Sequence, residues 1–291
     1  MTKGRAASIH ARLLQRAKAR GEDFNLILTR YALERFLYRL SLAPARETYW
    51  LKGAMLFDLW FDVPHRPTRD ADFLGFGPMD IDTLAKTMRE ICGVPAEDGM
   101  VYNADSISVE EIREDARYGG LRVRLLGKLG NARCTVQLDV GYGDAVTPGP
   151  EEAVYPTLLE DQPPPRLRVY PRASVVAEKL EAVVSLGMAN SRMKDFFDLR
   201  ALAREGALDA QQLSEAIAAT FARRGTTVPV ELPLGLSDEF ARDAGKRTQW
   251  QAFLSKNRLD APTLDEVIEE IRCFVWEPMK LAQKNRAKNE P

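Results

Sequence analysis

The 291 residues are 45% hydrophobic and 29% charged, the balance of an ordinary folded protein rather than a disordered or fibrous chain. A formal net charge of −1 points to no nucleic-acid, membrane or acidic partner by itself. Only His10 and His65 are histidines, which argues against a Ser-His-Asp triad or a His-rich metal site. Cys92, Cys134 and Cys273 show no metal or disulfide spacing, so a reducing, cytoplasmic setting is expected. No apolar run approaches a membrane span and the N-terminal stretch lacks the apolar core of a signal peptide, so no membrane partner is expected.

In chain order, residues 5–20 read as a helix. The first twenty positions carry Lys3, Arg5, Arg12, Arg16, Lys18 and Arg20 and no acid. Such an arm either touches a phosphate backbone or is a solvated amphipathic helix. Residues 23–42 form a second helix, with Phe24, Ile27, Leu28, Tyr31, Phe36, Leu37 and Leu40 at helical spacing. A short segment over 48–51 leads into Gly53, and 54–61 reads as helical, ending before Pro64 and Pro67. Residues 69–74 are a strand and 80–92 a helix. A strand is expected over 106–112, then a hairpin over 121–140 turning within Gly127-Lys128-Leu129-Gly130-Asn131. The proline-rich stretch 141–168 reads as a connection between an α/β half, 1–168, and a helical half, 169–291. Helices follow over 173–188, 193–204, 210–223, 237–255 and 263–283, and the polar tail from Lys284 is expected to fray.

Three carboxylates say most about chemistry. In Thr68-Arg69-Asp70-Ala71-Asp72-Phe73, strand alternation aims Asp70 and Asp72 at one face. Two like charges there repel unless a cation lies between them, and oxygen-only ligands suit Mg²⁺ or Mn²⁺ rather than zinc. From Ala132 to Val140 even positions are apolar and odd positions polar, which puts Asp139 on the open face of its strand. Asp70, Asp72 and Asp139 together would complete a site for phosphoryl or nucleotidyl transfer. Taken singly, each is an ordinary strand-end acid. Thr68 shares the face of Asp70. A phosphate added there could pair with Arg66 and Arg69 and oppose metal and nucleotide binding; Thr68 also suits a strand start as a β-branched residue.

A second constellation lies further on. Lys179 shares a helix face with Val175, Val176 and Val183, so it needs an anionic partner. A nucleotide triphosphate would serve, and so would Glu178, Glu181 or Asp195. Asp195 and Asp198 sit at the start of the next helix, where capping and salt bridging explain both.

In order, Leu51-Lys52-Gly53-Ala54, Arg66 to Phe73, Leu138-Asp139-Val140, Glu178-Lys179-Leu180-Glu181-Ala182 and Arg192 to Leu199 resemble the AbiEii/AbiGii nucleotidyltransferase toxins, which include the MenT toxins. The likeness spans roughly residues 8–205. It implies an α+β fold with a DNA polymerase β-like nucleotidyltransferase core, a mixed sheet with flanking helices, plus a helical C-terminal region. It implies Asp70, Asp72 and Asp139 as metal ligands, and Lys52, Gly53, Ala54, Thr68 and Lys179 as nucleotide contacts. Lys179 and Asp195 are implied as further catalytic residues from the helical region. Family members often carry Gly-Gly or Gly-Ser where this chain has Gly53-Ala54, so altered nucleotide contacts are expected. The implied activity is nucleotide transfer from an NTP to an acceptor hydroxyl, most simply the tRNA 3′ end, blocking translation within a toxin–antitoxin or phage-defence system with a cognate antitoxin. The alternatives are a protein-modifying nucleotidyltransferase and a non-catalytic nucleotide- or RNA-binding protein.

Overall fold

The computed structural model describes residues 3–61, 65–114, 118–206 and 208–289. Two units share the chain. Met1–Gly143 and Glu151–Val169 form the first, and Asp144–Pro150 and Tyr170–Pro291 the second.

The first unit opens with α1 (Lys3–Arg20) and α2 (Phe24–Leu42). Asp23 starts α2 by accepting the Leu26 N–H at 2.9 Å, the usual device for satisfying a first-turn donor. A short strand, β1 (Tyr49–Lys52), runs into a 3₁₀ turn at Gly53–Leu56 and then α3 (Phe57–Trp60). The helix expected over 54–61 is thus divided, and its expected stop at Pro64 lies outside the described residues. There follow β2 (Asp70–Gly75), α4 (Ile81–Cys92), β3 (Met100–Glu114), β4 (Tyr118–Leu129) and β5 (Ala132–Tyr142). The hairpin turn is tighter than expected. Leu129 still pairs with Ala132, so only Gly130 and Asn131 turn, with Gly130 at φ +60°.

The stretch 141–168 is more than a connection. It contributes β6 (Glu151–Val154) and β7 (Arg166–Val169), paired antiparallel. Leu167 and Val169 are each 1% exposed, so alternation over four residues suffices once β1 supplies a parallel neighbour. The prolines from Pro156 to Pro165 fall in the loop between these strands, where no ladder needs their missing N–H. The mixed seven-stranded sheet runs β3-β4-β5-β2-β1-β7-β6. One face is apolar. Leu51, Phe73, Val140 and Leu121 lie in one cross-strand row and none is more than 1% exposed. α2 packs against β5 and β7, and α4 against β3.

The second unit is helical: α5 (Arg172–Leu186), α6 (Met193–Glu205), α7 (Ala210–Arg224), α8 (Asp238–Arg242), α9 (Ala244–Asn257) and α10 (Leu264–Asn289). α5 packs on α7, and α10 on α6 and α7, around Phe196, Phe221, Phe240 and Trp250. One helix was expected over 237–255. Asp243 instead breaks it, accepting the Lys246 N–H at 2.8 Å to start α9. The helix α10 runs past the expected end at 283, to Asn289. Among the described residues no helix is long and apolar enough to cross a membrane.

Candidate active site

Opposite the apolar face of the sheet lies a charged one. Lys52 on β1 is the cross-strand partner of Asp72 on β2. Asp72 pairs in parallel register with Asp139 on β5, and Asp139 with Arg122 on β4. Direct partners project to the same face, so these four side chains form a transverse row of signs plus, minus, minus, plus. Neighbouring strands are about 4.8 Å apart, which brings Asp72 and Asp139 close enough to repel. The next row on this face joins Asp70, Gln137 and Arg124. Asp70, Asp72 and Asp139 therefore share the face that alternation predicts.

Asp139 has a charged partner and Asp70 a neutral one. Arg122 donates to both oxygens of Asp139, Nε to Oδ1 at 2.8 Å and Nη2 to Oδ2 at 2.7 Å. This pairing raises the Arg122 guanidinium above its ordinary range, with Asp70 adding a smaller pull. The Thr68 hydroxyl donates to Asp70 Oδ1 at 2.6 Å. Gly53 adopts φ +73°, and a Cβ built there would lie 1.9 Å from Asp72 Oδ2. Glycine at this turn thus serves both the backbone and the close approach of a carboxylate. Ala54 takes the next position of the same 3₁₀ turn.

Lys179 and Asp195 are brought together within the second unit. The Lys179 ammonium lies 2.8 Å from Asp195 Oδ1 and 2.8 Å from Asp198 Oδ2. Both acids are almost fully buried, at 1% and 0% exposure, and Arg192 adds a contact to Asp195 at 2.8 Å. Burial pushes the Asp195 carboxyl up, but Lys179 and then Arg192 outweigh it and leave it below the ordinary carboxylate range. Of the partners weighed for Lys179, Asp195 is present and Asp198 was missed. Glu181 is engaged elsewhere, accepting from Arg224 at 3.0 Å and Thr226 at 2.6 Å. Arg122 was also missed. Its only sequence signal was its polar place in the alternation of Leu121-Arg122-Val123-Arg124.

The three carboxylates fit a hard divalent cation by donor chemistry, being oxygen ligands on one face with a glycine cradle against Asp72. Among the described residues they do not converge as a ready-made cage, since Asp139 is turned to Arg122.

Clustered carboxylates flanked by cations, on the open face of a mixed sheet, define a candidate centre for phosphoryl or nucleotidyl transfer. Residues 35–270 match the family described as nucleotidyl transferase AbiEii toxin, type IV toxin–antitoxin system, and the chain belongs to that family. It is accordingly a nucleotidyltransferase toxin, as the resemblance implied, and membership implies an NTP substrate and an antitoxin partner. The match starts later than the expected likeness and reaches further into the helical unit. A search of curated proteins finds no match. Among solved structures, JHP933 from Helicobacter pylori is 17% identical with a TM-score of 0.46, covering 88% of this chain and 93% of that one. An H. pylori protein assigned as a nucleotidyltransferase is 18% identical with a TM-score of 0.43, covering 89% and 96%. At these scores neither likeness bears on the assignment.

Proposed function

We propose that this toxin transfers a nucleotide from an NTP to the 3′-terminal hydroxyl of tRNA, that the transfer requires Mg²⁺ or Mn²⁺, and that it acts in the cytoplasm by blocking translation. The observation that carries this reading is the row Lys52, Asp72, Asp139, Arg122, with Asp70 one pleat away. Asp70, Asp72 and Asp139 would hold the divalent cation, which would supply Lewis-acid stabilisation of charge at the α-phosphate and on departing pyrophosphate. The acceptor oxygen attacks the α-phosphorus in line. Its new bond to phosphorus forms as the bond to pyrophosphate breaks, and the hydroxyl proton leaves to water. Lys52, the turn at Gly53 and Ala54, and the Thr68 hydroxyl are proposed nucleotide contacts, with Lys52 countering triphosphate charge. Lys179 and Asp195 are proposed as further residues that transfer requires, a role that rests on the family resemblance. The same chemistry would serve phage defence.

The test is incubation with labelled NTPs, total RNA and Mg²⁺, resolved on a gel. Label is expected in the tRNA band and is expected to vanish with EDTA. Label in protein alone would move the acceptor to a protein hydroxyl. No label from any NTP would remove the transfer reading.

A further inference from the structure

The first unit holds a cavity of about 120 Å³ whose polar lining includes Arg16, Arg20, Arg30, Glu34, Asp58 and Thr68. Its charges do not cancel. Arg30 donates to Asp58 at 3.1 Å, and Asp58 also accepts the Tyr155 hydroxyl at 2.8 Å, so that pair is closed. Glu34 lies 2.7 Å from Arg35 and accepts the Leu158 N–H at 2.6 Å. Arg16 and Arg20 remain, and neither forms an ion pair among the described residues. Arg16 Nε is buried without a hydrogen-bond partner. Burial, and then the charge of Arg20, hold the Arg16 guanidinium below its ordinary range despite attraction from Glu22 and Glu34. Arg12, one turn earlier, is already committed to Asp161 at 2.9 and 2.6 Å. Two of the basic residues of α1, Arg16 and Arg20, thus line the cavity, while Lys18 is exposed outside its lining.

Guanidinium groups in a concave site match the oxygens of a phosphate, which can accept several charged hydrogen bonds at once. Thr68 forms part of the cavity wall and donates to Asp70, which ties the cavity to the carboxylate face. Phe61, also in the lining, offers an apolar ring beside the arginines. We propose that this cavity binds a phosphate from the backbone of the RNA strand whose terminal hydroxyl accepts the nucleotide. The acceptor role rests on the transfer reading above; the phosphate contact does not.

Binding is measured on the intact protein in EDTA, so that no transfer occurs, with a short fluorescein-labelled oligoribonucleotide and, separately, with NTP. Arg16→Gln combined with Arg20→Gln should weaken oligonucleotide binding by roughly tenfold or more. The salt slope should flatten by about 0.7 for one phosphate released. NTP binding should be unchanged. Lys86→Gln with Arg89→Gln removes the same charge from exposed positions on α4 and should change neither. Arg20→Gln alone, at an exposed position, gives a smaller loss in the same direction if the double variant fails to fold. An unchanged slope and affinity, or an equal loss in the α4 control, overturns the proposal. Lost NTP binding with intact RNA binding overturns the backbone assignment. Arginine-dependent RNA binding in a protein that labels no RNA would instead sink the transfer reading alone.

Discussion

Arg122 holds both carboxylate oxygens of Asp139, its direct partner across the β4–β5 ladder. The Asp139 side chain is 15% exposed, so this pair is only weakly screened by solvent. The oxygens that a cation would use are already occupied by a guanidinium.

That occupancy gives the first prediction. Arg122→Gln frees Asp139 without removing it, so the Mg²⁺ concentration for half-maximal transfer should fall several-fold. A metal titration of initial rates reads this directly. A higher requirement would mean that Asp139 is not a metal ligand.

Asp70→Ala and Asp72→Ala should each reduce transfer by on the order of a thousand-fold, comparable to removing a principal charge-stabilising group. Both residues lie on the charged face, and Asp72 faces another carboxylate in register, so thermal stability should hold or rise. Single-turnover rates and melting curves separate the two effects. Near-native rates in either variant would place the chemistry elsewhere.

Gly53→Ala places a methyl against the Asp72 carboxylate at a backbone angle that L residues rarely adopt. The strain should cost roughly 1–3 kcal/mol. Transfer should drop further than unfolding accounts for, because Asp72 must move. Gly149→Ala, with open space around its position, is the control and should be near neutral.

Lys179→Met leaves Asp195 and Asp198 buried without their shared cation, at a cost of roughly 3 kcal/mol or more. The pH dependence follows from the depressed Asp195 carboxyl. Its stabilising share is present above the unfolded value of 3.8 and is lost as pH falls through the lower folded value. Asp195→Asn should therefore be less stable than the wild type at pH 7, with the gap closing on acidification below about pH 4. Denaturant titrations at several pH values check this. A gap independent of pH would mean that packing, rather than charge, dominates at this position.

Local pattern made the individual elements legible. The alternation from Ala132 to Val140 located β5 and the outward aspect of Asp139, and helical spacing located α2, α4, α5, α6 and α7 closely. Register was not legible. Asp72 meets Asp139 only because β2 lies beside β5 in a sheet whose order departs from chain order, and no local signal reports that adjacency. The partnership of Arg122 with Asp139 depends on the same long-range choice. β6 and β7 escaped notice because four-residue strands carry little periodicity and prolines crowd the loop between them. Asp243 escaped because apolar spacing continues on both sides of the break it caps.

The row of plus, minus, minus and plus across β1, β2, β5 and β4 means that this enzyme carries an internal counterion, Arg122, at rest. Asp139 is answered by Arg122 before any substrate arrives. Under the transfer proposed above, a cation would enter at Asp139 by exchange rather than by simple addition, with the Arg122 guanidinium as the group to be displaced. For a toxin, such an exchange step would set a threshold, since low cation levels would leave the Arg122–Asp139 pair closed.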